Sequence, residues 1–127
     1  MKILHIVEDF SLESGGLRTV INNLNTYLNQ TEHSSYILSS KKEDADSIFV
    51  QETNMPYSKG WIIQINNLQN KFNFDVFHIH GVWTYPQYLS AKFCKENKIP
   101  FIVSAHGMYE PWLWEKGAAK KKIYFNF

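Results

Sequence analysis

Three short apolar runs along the chain, KILHIV at 2–7, VFHI at 76–79 and PFIVS at 100–104, each give way to a glycine-bearing loop, at Gly15-Gly16, His80-Gly81 and His106-Gly107. Runs that are apolar at nearly every position suit strands buried on both faces, the condition of a parallel sheet, better than the alternation of a half-exposed strand. Helical periods stand between them. Leu17, Val20, Ile21, Leu24, Tyr27 and Leu28 recur at steps of three and four and predict an amphipathic helix; Trp61, Ile65, Leu68 and Phe72 predict a second with one buried stripe. A third is expected to start near Pro86, where a missing N–H costs least, and to lead out through Lys98 and Ile99.

The remaining segments are less regular. Tyr36 to Leu38 suit a further strand, and 41–46 read as a charged, solvated connection. No period is readable from there to Gly60, whereas 110–127 read as mostly helical. Strands alternating with helices predict an α/β fold, a Rossmann-like parallel sheet flanked by helices and joined by right-handed crossovers. The three glycine loops would then emerge together at the carboxyl edge of the sheet, where ligands bind in such folds.

Size and charge narrow the functional classes. A chain of 127 residues suits one domain, expected over 1–127. A formal net charge of +1 gives the whole surface no electrostatic reason to seek nucleic acid. Cys94 is the single cysteine, so no intrachain disulfide can form, as suits a reducing compartment. His5, Glu8 and Asp9 interrupt the first apolar run before a signal-peptide core could form, and no stretch approaches the roughly 18 apolar residues of a membrane-spanning helix. The expectation is a cytoplasmic protein, with peripheral contact at the inner membrane face left open.

Several residues at the predicted sheet edge can carry chemistry. Gly15 and Gly16 before a helix let backbone N–H groups approach an anion, helped by the partial positive charge of the helix start, and Arg18 lies in the same turn. A tight turn alone would use glycines in the same way. The G-x-G-x-x-G and P-loop patterns are both absent. His78 and His80 alternate along one strand and so share a face, where His106 could join them around a metal. No carboxylate or fourth ligand follows at a recognisable spacing, so no metal is expected and His78 reads as a packed or hydrogen-bonded strand residue. His106, flanked by Gly107 at a strand end, is the stronger candidate, able to hydrogen-bond a sugar hydroxyl or a phosphate.

Aromatic residues admit two uses. Trp83, Trp112 and Trp114 could stack on sugar faces, but packing against another part of the protein is the preferred reading for the last two. The stretch 109–127 mixes Lys116, Lys120, Lys121 and Lys122 with Trp112, Trp114, Tyr124, Phe125 and Phe127, a combination that suits either an anionic lipid surface or an ordinary amphipathic helix with a solvated lysine face.

Taken together, HGVW at 80–83, KIPFIVSAHGMYEPW at 98–112 and KKKIY at 120–124, with the opening strand and glycine pair, resemble the first part of glycosyltransferase family 4, the group 1 glycosyltransferases of two-domain GT-B fold. The resemblance covers essentially the whole chain. It implies the N-terminal, acceptor-side half of a retaining enzyme that moves a sugar from a nucleotide-sugar donor to a lipid-linked or polysaccharide acceptor, usually without metal or other cofactor. It also implies that His106 lies close to the transferring sugar as the catalytic candidate, and that Gly15 and Gly16 face the interdomain cleft near the donor diphosphate or the acceptor. Arg18, His80, Gly81 and Gly107 complete the candidate substrate-binding set at the same edge. The family's second domain, with paired glutamates and basic residues for the nucleotide-sugar, has no counterpart within these residues, so a separate C-terminal domain is an expected partner.

Two other classes compete. The opening ILHIVEDF resembles the first strand and acidic pair of a response-regulator receiver, but Asp75 precedes a strand instead of ending one, and Ser104-Ala105-His106-Gly107 stands where a receiver needs lysine. A noncatalytic module that binds a glycan or a partner domain would keep the same half-cleft. An apolar surface left for a second domain predicts self-association.

Overall fold

The computed structural model of the protein describes residues 1–10, 15–42, 48–49, 60–82 and 84–106. Trp83, Gly107 and the expected terminal helix, with Trp112, Trp114 and its lysines, lie outside the described residues.

Strands β1 (Lys2–Ile6), β3 (Ser34–Ser39), β5 (Ile48–Phe49), β6 (Val76–His80) and β7 (Phe101–Ser104) form one sheet in the order β5-β3-β1-β6-β7. Every pairing in it is parallel. Helices α1 (Gly16–Asn29), α2 (Gly60–Phe72) and α3 (Tyr85–Glu96) connect the strands. Two short strands, β2 (Asp9–Phe10) and β4 (Lys41–Lys42), pair beside the sheet, so the segment expected to be a solvated connection begins with a backbone pairing. A two-residue pairing carries no hydropathy period and leaves no trace in the pattern.

The two faces of the sheet bury different sets. Leu4, Ile6, Leu38, Phe77 and Ile79 pack with Trp61, Ile65 and Leu68 of α2 and with Phe93 and Cys94 of α3. Phe77 stacks with Phe93 at 6.0 Å between ring centroids and meets Phe74 edge-on at 6.1 Å. On the opposite face, Val7, Phe10 and Ile37 pack with Ile21 of α1, and Leu17 lies against them. The stripe of α1 is narrower than its periodicity predicts: Val20 and Tyr27 are 52% and 64% exposed. Helix α1 meets the sheet along the line Leu17-Ile21-Leu24-Asn25-Leu28, and residues a turn-fraction to one side fall off it. The α2 stripe of Trp61, Ile65 and Leu68 is buried as its spacing predicts.

Chain order places the ligand edge. From β1 the chain proceeds outward through β3 to β5, then returns to the other flank of β1 for β6 and β7. The order reverses between β1 and β6, and the crevice outside the carboxyl ends at such a switch point is the binding place of open α/β sheets. There β1 and β6 run in register, His5 beside His78 and Ile6 beside Ile79.

Candidate functional site: a histidine row at the switch point

The parallel register that sets His5 beside His78 also directs both side chains, and that of His80 two residues on, to one face of the sheet. The rings form a contiguous group: centroids of His78 and His80 are 4.0 Å apart, and His5 is 5.2 Å from each. Next to them, β7 ends in Ser104 opposite His80, then turns through Ala105 into His106. His106 has φ 50, in the left-handed region where histidine is among the few side chains found with some regularity. That turn brings its ring back onto His80, with centroids 5.1 Å apart and the rings stacked.

Hydrogen bonds join the group. His5 Nδ1 lies 3.0 Å from His80 Nε2, and His80 Nδ1 lies 2.8 Å from His106 Nε2. His78 Nε2 pairs with Ser104 Oγ at 2.7 Å, the hydrogen-bonded strand role expected of it. His5 and His80 are essentially inaccessible, His78 is half-buried and His106 is exposed. The structure therefore places His80 behind His106, away from the surface, and presents His106 outward.

The electrostatics follow from burial. Desolvation, followed by the charge of His78, lowers the His5 pKa to about 4. Desolvation first, then His78, His5 and His106, lowers that of His80 to about 2. His78 is lowered by burial and by His106, and His106 by burial. All four shifts favour the neutral ring, because burial strips water from the charged form and, for His5, His78 and His80, a charge on a neighbouring imidazole repels another.

The strand end is held from behind by α3. Gln87 Nε2 donates to the His80 carbonyl at 2.7 Å while Gln87 Oε1 accepts from the Thr84 N–H at 2.8 Å, one half of a capping box that ties the helix start to β6. The Gly81 N–H donates to the Ser104 carbonyl at 2.8 Å, with Gly81 at φ 94, a conformation that L side chains rarely adopt. His80-Gly81 thus fixes the ends of β6 and β7 to each other.

The glycine pair opens α1 as expected. Gly15 caps the helix at φ 59 and ψ −120 with its carbonyl accepting from the Thr19 N–H, and a Cβ at Gly15 or Gly16 would meet nothing within 4 Å. Both backbones are exposed, leaving the first turn approachable by an anion. Arg18 turns back toward β2, its Nε donating to the Phe10 carbonyl at 3.2 Å and its guanidinium 5.3 Å from the Phe10 ring centre.

Sequence reasoning grouped His78, His80 and His106 but missed His5 and Gln87. His5 looked like an interruption in an apolar strand, and only the register of β1 on β6 puts it beside His78. One ring nitrogen each of His5, His78 and His80 lie within 4.8 Å of one another, so among the described residues these three form the group that could approach a metal. His5 Nδ1 is already turned to His80, and both nitrogens of His80 are taken up by His5 and His106, while His5 Nε2 has no partner among the described residues.

A parallel sheet with a reversal between β1 and β6, helices on both faces and polar residues gathered at the carboxyl ends defines a Rossmann-like domain of the GT-B type. A solved structure of UDP-GlcNAc 2-epimerase from Neisseria meningitidis bound to UDP-GlcNAc shares this fold, with TM-score 0.58 and 13% identity over 98% of this chain and 38% of that one. The chain thus spans well under half the length of that neighbour. The family model for glycosyltransferase family 4 matches residues 14–127, and the chain belongs to that family. No curated protein matches it.

Proposed function

We propose that the chain is the acceptor-side half of a sugar transferase, which moves a sugar from a nucleotide-sugar to a lipid-linked or polysaccharide acceptor with retention at the anomeric carbon. Membership of glycosyltransferase family 4 supports glycosyl transfer. The observation that carries the site is the exposed imidazole of His106, raised at the end of β7 on a buried histidine support beside the switch point.

In this reading His106 touches the transferring sugar or its phosphate, the α1 start at Gly15 and Gly16 faces anionic oxygens, and Gly81 holds the two strand ends together. His80 supports His106 from within. Gly107 belongs to the same candidate set by its place in the sequence, next to His106. Arg18 contributes by fixing β2 against α1, and a ligand could draw its guanidinium outward. A second domain supplies the residues for the nucleotide-sugar, and no metal enters the reaction. Among the described residues no helix is long and apolar enough to cross a membrane, and contact with a lipid-linked acceptor is proposed to be peripheral at the inner membrane face.

A transfer assay with radiolabelled nucleotide-sugars and membrane lipid acceptors tests this, comparing the chain alone with the chain plus the polypeptide encoded immediately downstream. Transfer only with both present is the expected result. Transfer by the chain alone would overturn the need for a second domain. Silence in both, with glycan binding intact, would replace the enzyme by a binding module.

A further inference from the structure

The two nitrogen–nitrogen contacts constrain where three protons sit. A neutral imidazole carries one N–H and one bare nitrogen, so each contact needs a donor on one side and an acceptor on the other. His80 spends both nitrogens, Nε2 on His5 and Nδ1 on His106. Its single proton can serve only one of them, and the other contact must be donated by the neighbour. The row therefore has two arrangements, each fixing all three rings together. In one, His106 donates from Nε2 to His80, His80 donates from Nε2 to His5, and His5 is left with an N–H at Nε2. In the other, His5 donates from Nδ1 to His80 and His80 donates from Nδ1 to His106, leaving a bare nitrogen at His5 Nε2.

His5 Nε2 decides between them, because it is buried and has no hydrogen-bond partner among the described residues. A buried N–H without an acceptor is the rarer and costlier orphan, while an acceptor without a donor is better tolerated. The second arrangement follows, and with it the state of the exposed ring.

We propose that His80, backed by His5, is a positioning residue that fixes His106 as the Nδ1–H tautomer, so that His106 meets its ligand as a neutral hydrogen-bond donor to a phosphate or sugar oxygen. The ligand class rests on the proposed transferase function; the tautomer does not. In this arrangement Nε2 of His106 accepts from His80, and neither ring nitrogen is poised as a general base: Nε2 is occupied and Nδ1 holds the proton. The row also explains how His5 and His80 are buried with no ion pair among the described residues, since each neutral ring supplies what the next lacks.

Nitrogen-15 NMR of the uniformly labelled chain at pH 7.5, without ligand, reads the proton directly, because a protonated ring nitrogen resonates far upfield of a bare one. The His106 signals are assigned by their loss in His106→Asn. The expected result is Nδ1–H with bare Nε2 on His5, His80 and His106 alike. An Nε2–H tautomer at His106 in the unmodified chain would overturn the proposal without requiring any variant to fold. In folded His80→Ala, His106 is expected to relax toward the Nε2–H form that an isolated histidine prefers, whereas His5→Phe, which makes His80 Nε2 the buried nitrogen without a partner, should leave it Nδ1–H; an unchanged His106 spectrum in His80→Ala would show that the row does not set its tautomer. For the ligand role, His106→Asn, whose amide nitrogen stands near the position of Nδ1, should retain roughly tenfold more transfer than His106→Gln in the assembled enzyme. Equal or reversed losses would refute the donor role. Failure of all transfer in the unmodified protein would sink the transferase reading and leave the NMR result standing.

Discussion

Acidification should destabilise this fold well before its carboxylates titrate. In the unfolded chain a histidine binds its proton near pH 6.5, whereas burial holds His5 near 4 and His80 near 2 in the folded state. Between those values the unfolded state binds protons that the folded state refuses, so stability is complete above about pH 6.5 and is lost as the pH falls toward the folded values. At pH 5.5 each of the two rings costs roughly 1–2 kcal/mol, about 3 kcal/mol together, a large part of the roughly 5–15 kcal/mol that holds a domain. His78 and His106 act in the same direction. Urea unfolding of the chain at steps from pH 7.5 to 5.5 measures the loss, and His5→Phe should remove about half of it. A free energy of unfolding that stays level across this range would refute the neutral buried row.

Other consequences follow from single side chains. Gln87→Ala removes the bond from α3 to the His80 carbonyl at the end of β6 and the cap bond from the Thr84 N–H, and should cost about 2 kcal/mol in urea unfolding. Phe77→Ala, at a fully buried ring between Phe74 and Phe93, should cost about 3–5 kcal/mol by the same measurement. Cys94 is buried, with its thiol pushed up to about 12, so a thiol reagent should modify it only after denaturation.

What the sequence made legible was what periodicity writes. The apolar runs at β1, β6 and β7, the α2 stripe and the glycine at the start of α1 all carry local patterns, and the parallel α/β sheet follows from their alternation, although β7, read as buried on both faces, is an edge strand that leaves Ile102 and Val103 exposed. Strand β5 was hidden because two residues show no period, and the pairing of Lys41–Lys42 with Asp9–Phe10 was hidden because charged residues can pair through backbone alone. For the site, His78 and His80 announced their shared face by alternation, and His106 announced a strand end. The partnership of His5 with His80 lies 75 residues apart in sequence and depends on strand order and register, which no local pattern encodes. Gln87 was equally invisible, since its capping role is specified only once α3 starts against β6.

The most direct test of the account is the initial rate of sugar transfer by the assembled enzyme with and without His106→Ala, with circular dichroism confirming that both fold. A fall of about a hundredfold or more is predicted, the scale expected when a positioned hydrogen-bond donor is removed from a reacting centre. An unchanged rate would contradict the claim that the end of β7 is where this chain meets the sugar.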